Sequence, residues 1–430
     1  MAISVVILSA GFGSRMKSKN AKALQPLLDL KLIDYALDKA FALSDDIHLV
    51  LHHQEDEIRK YIKDNYSKKL GLITFSHQDI NAFSGTAAAL FDIKVKYEDL
   101  IVLNVDMPLL DMKDLNLLAN SKSPLALLAF SCERENSYGR VFLQEGKVAK
   151  IVEVKDANEE ELNITLCNAG IYKFKASLLY KLLPLIKNEN AQKEYYLTDS
   201  IALAKNEGVD MELIMSNEKS CLGINSKEEL NKASEILRKK IIKRWLAEGI
   251  VFEDSKSTLI GSRVIFREES IIESNVRITG KTIIESSTIL HSSSIDSSRI
   301  INSQIGPFSR IRPRCKIVDS QIGNFTECKN AKLRAVKASH HAYLGDCEIG
   351  RGTNIGCGAI TCNYDGKEKH ISIIGKDVFI GSNVNIIAPI KIPSQSFIAA
   401  GSTISSKAAK NLAAGDVFIE RATGHIYRKR

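Results

Sequence analysis

The sequence has no CxxC pair, no apolar run approaching the length of a membrane span, and no Gly-Lys-Ser/Thr after a glycine turn. Each absence removes a class of protein. Eight scattered cysteines (Cys132, Cys167, Cys221, Cys315, Cys328, Cys347, Cys357, Cys362) argue against a metal cluster or a small disulfide frame, and favour reduced thiols in a cytoplasmic protein. A membrane-spanning helix needs about 20 apolar residues, so no membrane insertion is expected. The first apolar run, Ile3 to Leu8, has no basic flank before it and ends in Gly11-Phe12-Gly13. That is the mark of a buried strand rather than a signal peptide. The net charge of +8 suits anionic metabolites. Its lysines are spread along the chain and no RNA or DNA motif accompanies them, so no nucleic-acid partner is expected.

What is present is a six-residue repeat. Ile374, Ile380, Ile386, Ile392, Ile398 and Ile404 share one phase, and Val378, Val384, Ile390, Ser396, Ser402 and Ala408 follow four places later. A helix repeats every 3.6 residues and a strand every two, so this period predicts short strands joined by tight corners, the hexapeptide form of a parallel β-helix. Upstream, Leu259, Ile265, Ile271, Ile283, Ile289, Ile295 and Ile301 fall on one phase, interrupted by Arg277 and lost at Pro307. The phase resumes at Ile305, Ile311 and Ile317, and again at Tyr343, Ile349 and Ile355. Each slip predicts a loop leaving the prism, and Ser255 to Ala408 predicts about eight coils. The serines of Ser286 to Ser298 are expected at corners and outer faces.

The first 225 residues alternate apolar strands (Ile3 to Leu8, Ile47 to Leu51, Leu72 to Phe75, Leu100 to Asn104, Pro124 to Phe130) with helices near Leu32 to Leu43, Glu55 to Tyr66, Thr86 to Asp92 and Asp114 to Asn120. The alternation predicts a Rossmann-like α/β domain with a mostly parallel sheet, whose ligands sit at the carboxyl ends of the strands. Gly139 to Lys155 reads as a hairpin turning at Glu145-Gly146. Ser226-Lys227-Glu228-Glu229 is a capping box opening a connector helix with a stripe of Leu230, Ala233, Leu237, Ile241 and Trp245. The expected domains are therefore 1–225, a linker helix 226–250, and a β-helix 251–430. The tail Arg428-Lys429-Arg430 is expected to be mobile.

Leaving the first strand, Leu8-Ser9-Ala10-Gly11-Phe12-Gly13-Ser14-Arg15-Met16 is a glycine turn followed by Lys22. Backbone N–H groups in such a turn can cradle phosphate, and Arg15 and Lys22 add positive charge. Neither a Walker loop nor the three-glycine dinucleotide fingerprint is matched. Leu103-Asn104-Val105-Asp106-Met107-Pro108 puts a carboxylate at the end of a central strand, a candidate Mg²⁺ ligand where phosphate also binds.

These stretches, with Gly85-Thr86, Tyr138-Gly139-Arg140 and Tyr195-Tyr196-Leu197-Thr198-Asp199, resemble the sugar-1-phosphate nucleotidyltransferases. With the hexapeptide half, nearly the full length resembles the bacterial bifunctional N-acetylglucosamine-1-phosphate uridyltransferase and glucosamine-1-phosphate acetyltransferase family. The resemblance implies UTP contacts at Leu8, Ala10, Gly11, Gly13, Arg15, Lys22, Gln78, Gly85 and Thr86, with Mg²⁺ on Asp106 and Asn225. It implies sugar contacts at Gly139, Glu153 and Asn168. Attack of the sugar phosphate on UTP would release pyrophosphate, with Arg15 and Lys22 neutralising charge. The family's Pro-Lys is Ala21-Lys22 here, and its Tyr-Gly-Asp is Asn104-Val105-Asp106.

In the second half, polar residues interrupt the isoleucine ladder, and such a local break of a fold's own rule points to a site. The family resemblance implies that Arg312, Lys329, Tyr343 and Asn354 grip glucosamine 1-phosphate and that His340 is the general base, its neighbour His341 being non-catalytic. Acetyl-CoA would lie along Cys357, Asn363, Tyr364, Ser382, Ala400 and Arg421. The family also implies a left-handed coil and a homotrimer. Two rival readings keep the β-helix non-catalytic: an assembly or regulatory module of a nucleotidyltransferase, or part of a scaffold without activity. His340, Tyr343 and Asn363-Tyr364 count against the first, and Arg15, Lys22 and Asp106 against the second.

Overall fold

A computed structural model describes residues 2–133, 136–421 and 424–429. The chain divides into two units, Met1–Leu237 and Arg238–Arg430, and the division falls inside the long helix Lys227–Ala247. Ser226 caps that helix as its sequence predicts. Its Oγ accepts from Glu229 N (3.1 Å), and Glu229 Oε2 accepts from Ser226 N (3.0 Å).

In the first unit the strands lie in the order Met211–Met215, Leu125–Ser131, Leu166–Lys175, Asp99–Asn104, Ile3–Ser9, Asp46–Leu51, Ile73–His77. Neighbours in this path are parallel except where Leu166–Lys175 pairs antiparallel with both of its neighbours. Ile3–Ser9 is flanked by Asp46–Leu51 and Asp99–Asn104, so successive connections leave it to opposite sides. A cleft opens at the carboxyl ends of strands at such a switch point. The hairpin forms from Arg140–Gln144 and Lys147–Val152, and both turn residues, Glu145 (φ 53°) and Gly146 (φ 76°), take the positive φ that a type I′ turn demands. The helix expected over Thr86 to Asp92 is reduced to a single 3-10 turn, Ala88–Leu90. Tertiary bonds claim its start: Tyr195 N donates to Ser84 O (2.8 Å), Ala87 N to Tyr195 O (2.9 Å), and Leu197 N to Thr86 Oγ1 (3.0 Å).

The second unit is a left-handed parallel β-helix. An 11-stranded sheet forms one face and a 15-stranded sheet wraps the other two, the strands Glu327–Arg334 and Tyr343–Ile349 each running round a corner. The register advances by 16 residues from Ile283 to Arg299 and by 18 from Ser372 to Ile390. It advances by 25 from Asn354 to Phe379, where the segment 363–371 leaves the prism. The six inward isoleucines from Ile374 to Ile404 are buried as the period predicts.

Upstream the period is right; the phase read from Leu259 to Ile283 is one residue off, while Ile289, Ile295, Ile305, Ile311, Ile317, Ile349 and Ile355 are buried as read. The buried series is Ile260, Phe266, Ile272, Ile278 and Ile284, whereas Ile265 and Ile271 are 44% and 42% exposed. Likewise Leu344, not Tyr343, points inward, and Ile300 replaces Ile301. Doublets such as Ile271-Ile272 and Ile283-Ile284 satisfy either phase, because β-branched residues suit the outer surface of a strand as well. The slips are not loops. Steps of five, as from Ile284 to Ile289 and Ile317 to Ile322, stay in the ladder. Corner residues absorb the difference: Ser286, Ser292, Ser297, Asn302, Phe308, Asp319, Phe325 and His341 all have positive φ.

The serine tract departs from expectation in part: Ser286, Ser292 and Ser297 stand at corners as read, whereas Ser287, Ser293 and Ser298 are buried. They point in and bind backbone. Ser287 N donates to Ser270 Oγ (3.2 Å), Ser303 N to Ser287 Oγ (3.1 Å), Ser320 N to Ser303 Oγ (3.0 Å) and Val336 N to Ser320 Oγ (3.0 Å). This hydroxyl ladder satisfies corner N–H groups that would otherwise be buried without a partner. The tail expected to be mobile pairs instead as Gly424–Lys429 against Asp416–Arg421, and Arg430 lies outside the described residues.

Candidate functional site

Two cavities of the first unit meet at the carboxyl ends of Ile3–Ser9 and Asp99–Asn104. The smaller, of ≈ 390 Å³, is lined by Ala10, Gly11, Lys22, Gln78, Gly85 and Asp106 among others. The larger, of ≈ 660 Å³, takes Arg15, Gly139, Glu153, Asn168 and Asn225 into its wall. Leu8, Thr86, Asn104 and Asp106 line both. Thirteen of the fourteen site residues singled out in this half by sequence therefore converge on one cleft, and Gly13 stands just behind it. Its φ is 63°, and a Cβ there would lie 2.8 Å from Lys22 Cβ, so glycine lets the turn pack on the lysine stem.

At the junction, Lys22 Nζ lies 2.5 Å from Asp106 Oδ2 and 2.9 Å from Asn225 Oδ1. A carboxylate oxygen and a carboxamide oxygen thus converge on one cationic centre. Hard oxygen pairs of this kind hold Mg²⁺ beside phosphate oxygens, so the residues present fit the ion. Gly85 has φ 113°, and a Cβ would stand 2.4 Å from Tyr195 O, which makes the residue obligatory where it lines the smaller cavity. Gln78 donates from Nε2 to Gly85 O (3.0 Å) and Phe83 O (3.3 Å). Its donors are spent, and its carbonyl oxygen is left as the acceptor.

The wall of the larger cavity carries a carboxylate held away from water. Burial pushes Glu153 up from its ordinary range, against a hydrogen bond from Thr198 Oγ1 (3.2 Å), and Asp156, Asp199 and Glu194 add to the push. Burial, with help from Asp156, raises Asp199 to about 6. Asn168 donates to Tyr172 Oη (2.7 Å) and accepts from Gly170 N (3.0 Å). Sequence reading missed Gly170 and Tyr172. A glycine inside a strand was the available signal: the register breaks between Asn168 and Tyr172, where Gly170 has φ 73°, and Asn104 Nδ2 reaches Gly170 O (3.0 Å).

In the β-helix, Arg310, Glu327 and Tyr343 stand opposite one another on adjacent strands, with Arg312 and Lys329 two residues further along the same face. Arg312 pairs with Glu327 (2.9 Å). Tyr343 lies across Gly345, where a Cβ would be 2.5 Å from its Oη, and burial pushes its phenol up. Asp346 receives Asn330 Nδ2 (2.6 Å) and Asn363 Nδ2. Against the upward push of burial, these bonds hold it below the ordinary carboxylate range. The Lys369 ammonium beside Lys329, aided by burial, lowers the Lys329 pKa. Lys369 was missed by sequence because it belongs to the excursion 363–371, which an isolated bridge from Tyr364 to Lys369 turns back.

His340 ends the strand Lys337–His340 and is exposed. Its neighbours define a corner column: His341 N donates to Asn324 O (2.7 Å), Gly358 N to His341 O (2.9 Å), Asn383 N to Cys357 O (2.8 Å) and Gly401 N to Ser382 O (2.8 Å). His340, Cys357, Ser382 and Ala400 therefore occupy the same corner of successive coils, spaced by about 4.8 Å each. His341 is in the left-handed conformation (φ 39°), a corner residue. Asn363 is buried at the far end of the Tyr343 face and Tyr364 is exposed in the excursion. Asn354 does not join this group directly, lying on the adjoining face opposite Lys337. Arg421 ends the strand Asp416–Arg421, and its side chain lies outside what is described.

Residues 5–163 match the family model of the MobA-like NTP transferase domain. Over 428 residues the chain is 44% identical to the bifunctional protein GlmU of Campylobacter lari, covering 100% of this chain and 98% of that one. It is 47% identical over 422 residues to the GlmU of Campylobacter jejuni subsp. jejuni serotype O:6 (98% and 96% covered). With the GlmU of Wolinella succinogenes it shares 42% over 422 residues (98% and 96% covered). At that identity over both halves, the chain belongs to the GlmU family of bifunctional enzymes of UDP-N-acetylglucosamine synthesis, which join an acetyltransferase to a uridylyltransferase.

Proposed function

We propose that the two reactions are divided between the units, with glucosamine 1-phosphate acetylated on the β-helix (251–430) and N-acetylglucosamine 1-phosphate uridylylated in the sheet domain (1–225), joined by the linker 226–250. The observation that carries this reading is the meeting of two cavities at Lys22, Asp106 and Asn225. UTP occupies the smaller cavity, where the Gln78 carbonyl accepts from the uracil N–H, Gly11 leaves room for phosphate, and Gly13 lets the turn pack on Lys22. The sugar phosphate occupies the larger one, bounded by Gly139, Glu153 and Asn168. Its phosphate oxygen attacks the α-phosphorus from the opposite side to the leaving pyrophosphate, and Arg15 and Lys22 offset the charge that gathers there. Mg²⁺, held by Asp106 and Asn225, would neutralise phosphate charge.

On the β-helix, Arg312, Lys329 and Lys369 hold the sugar phosphate, and Tyr343 and Asn354 contact the sugar. The 2-amino nitrogen forms a bond to the acetyl carbon, the thioester C–S bond breaks, His340 takes the amine proton, and the thiolate of CoA takes one in turn. Imidazole suits that role because it exchanges protons near neutral pH. Acetyl-CoA runs down the corner column past Cys357, Ser382 and Ala400, with Asn363, Tyr364 and Arg421 beside it. A homotrimer is supported by outward apolar residues such as Ile360, Phe379 and Ile387, each at least 40% exposed. Eight free thiols support a cytoplasmic setting. No helix of the described residues is long and apolar enough to cross a membrane.

Two assays on the intact chain test the division: release of CoA from acetyl-CoA and glucosamine 1-phosphate, and of pyrophosphate from UTP and N-acetylglucosamine 1-phosphate. His340→Ala is expected to abolish only the first and Asp106→Ala only the second. Retention of both activities by both variants would sink the assignment.

A further inference from the structure

A second basic surface lies on the same rungs of the β-helix as Arg312 and Lys329, on a different face. Arg299, Lys316 and Lys332 stand directly opposite one another on successive strands, and Arg334 lies two residues beyond Lys332, opposite Val318. Like charges set opposite on neighbouring strands destabilise a sheet, so three in a row need compensation. Carboxylates supply part of it: Glu285 reaches Arg299 (3.5 Å) and Glu348 reaches Lys332 (2.6 Å). Among the described residues Lys316 and Arg334 have no such partner. Both are exposed, and both line a concavity of ≈ 640 Å³ whose remaining wall includes the apolar Ile301, Val318 and Ile373.

Two uncompensated cations over an apolar floor call for a dianion with an organic part. The concavity is of the size that holds small ligands, about 300–1,000 Å³. Adjacent strands set Lys316 and Lys332 about 4.8 Å apart at the backbone, a spacing that lets neighbouring side chains share one diphosphate. The face proposed to hold the sugar phosphate uses the same device, Arg312 beside Lys329 on adjacent strands. We propose that the groove around Lys316 and Arg334 is a second anion site of the β-helix, separate from both catalytic clefts, that takes a nucleoside diphosphate bearing an organic substituent. Uridine-diphosphate sugar and coenzyme A both have this chemistry, and the experiment separates them.

Equilibrium dialysis of the full chain with UDP-N-acetylglucosamine, with coenzyme A and with inorganic pyrophosphate would count sites per chain, for wild type and for the double variant Lys316→Glu, Arg334→Glu. The variant is expected to lose one class of sites, weakened at least about tenfold, for one of the two nucleotides, with both catalytic activities unchanged at saturating substrate. In the wild type that class should also weaken as salt rises from about 50 to 200 mM, as screening of exposed charge requires. Should the charge reversal lower the unfolding midpoint, Lys316→Gln with Arg334→Gln replaces it. Identical isotherms for wild type and variant with all three probes would overturn the proposal. So would binding of pyrophosphate alone, which would show simple charge attraction. Dissociation of a wild-type oligomer on substitution, seen by sedimentation, would make the face a contact between copies and overturn it equally.

Discussion

The phosphate sites proposed for the two units are built from different parts of the chain. In the sheet domain the proposed contact is made off the strand ends, by a turn around Gly11 and by Lys22, which reaches Asp106 and Asn225. In the β-helix the proposed site is built across successive coils, with His340 at the end of the strand Lys337–His340. Arg312 directly follows the strand Arg310–Ile311, Lys329 lies within Glu327–Arg334, and Lys369 arrives from an excursion. The first arrangement depends on backbone geometry, so its weak points are glycines. The second depends on coil register and interchangeable side chains, so its weak points are the inward residues that fix the register and the charges themselves.

The largest expected effect tests register. Ile272→Ala removes a fully buried side chain and should cost about 2–5 kcal/mol, whereas Ile271→Ala, at a 42% exposed position, should cost under about 1 kcal/mol. Denaturant unfolding followed in the β-helix would measure both, and equal losses would show that the inward phase is misassigned. Next comes the glycine dependence of the sheet site. Gly85→Ala places a Cβ 2.4 Å from Tyr195 O at φ 113°, a strain of about 1–3 kcal/mol or a displaced loop. Pyrophosphate release should fall about 100-fold while CoA release persists. Undiminished uridylyl transfer would break the contrast between backbone and side-chain sites.

Smaller effects follow on the β-helix face. A charge-assisted hydrogen bond contributes about 1.5–3 kcal/mol, so Lys369→Met should raise KM for glucosamine 1-phosphate about tenfold with a lesser change in kcat. An unaltered KM would remove Lys369 from the site. The smallest effect is in pH dependence. Asp199, raised to about 6, keeps its proton in the folded state when the unfolded chain has lost it, above about pH 4. Its folded-state stabilisation is therefore complete below about pH 4 and is lost as pH rises through 6. The Tm of Asp199→Asn minus that of wild type should grow between pH 5 and 8, and a constant difference would place the titration elsewhere.

Much of the sheet site was legible because it is local. The turn from Leu8 to Met16 and the strand end at Asp106 each occupy a few consecutive residues, and glycine, basic and acidic types announce their roles there. Gly170 was not legible, because its use depends on a bulge in a strand paired on both sides. In the β-helix the period was legible throughout and the phase only in part. Ile271 and Ile272 are chemically alike, and only the corner geometry around Glu268 and Asn275, both at positive φ, decides which faces in. Lys369 was hidden for a related reason, its position following from how an excursion returns to the prism.

The sequence alone determined the two architectures, five of the seven strands along the main path of the sheet, the capped connector helix and the short motifs of the glycine turn, because hydrophobic periodicity and glycine placement are local consequences of backbone geometry; Leu166–Lys175 and Met211–Met215 emerged only in the fold. Only the tertiary structure decided which isoleucine of each doublet is buried, that the serines turn inward to form a hydroxyl ladder, and that Lys22, Asp106 and Asn225 share one centre. It also decided that His340, Cys357, Ser382 and Ala400 align on one corner, and that Lys316 faces Arg299 and Lys332. Stacking of coils sets residues 16 to 25 apart in sequence side by side. No pattern read along a single strand contains that distance.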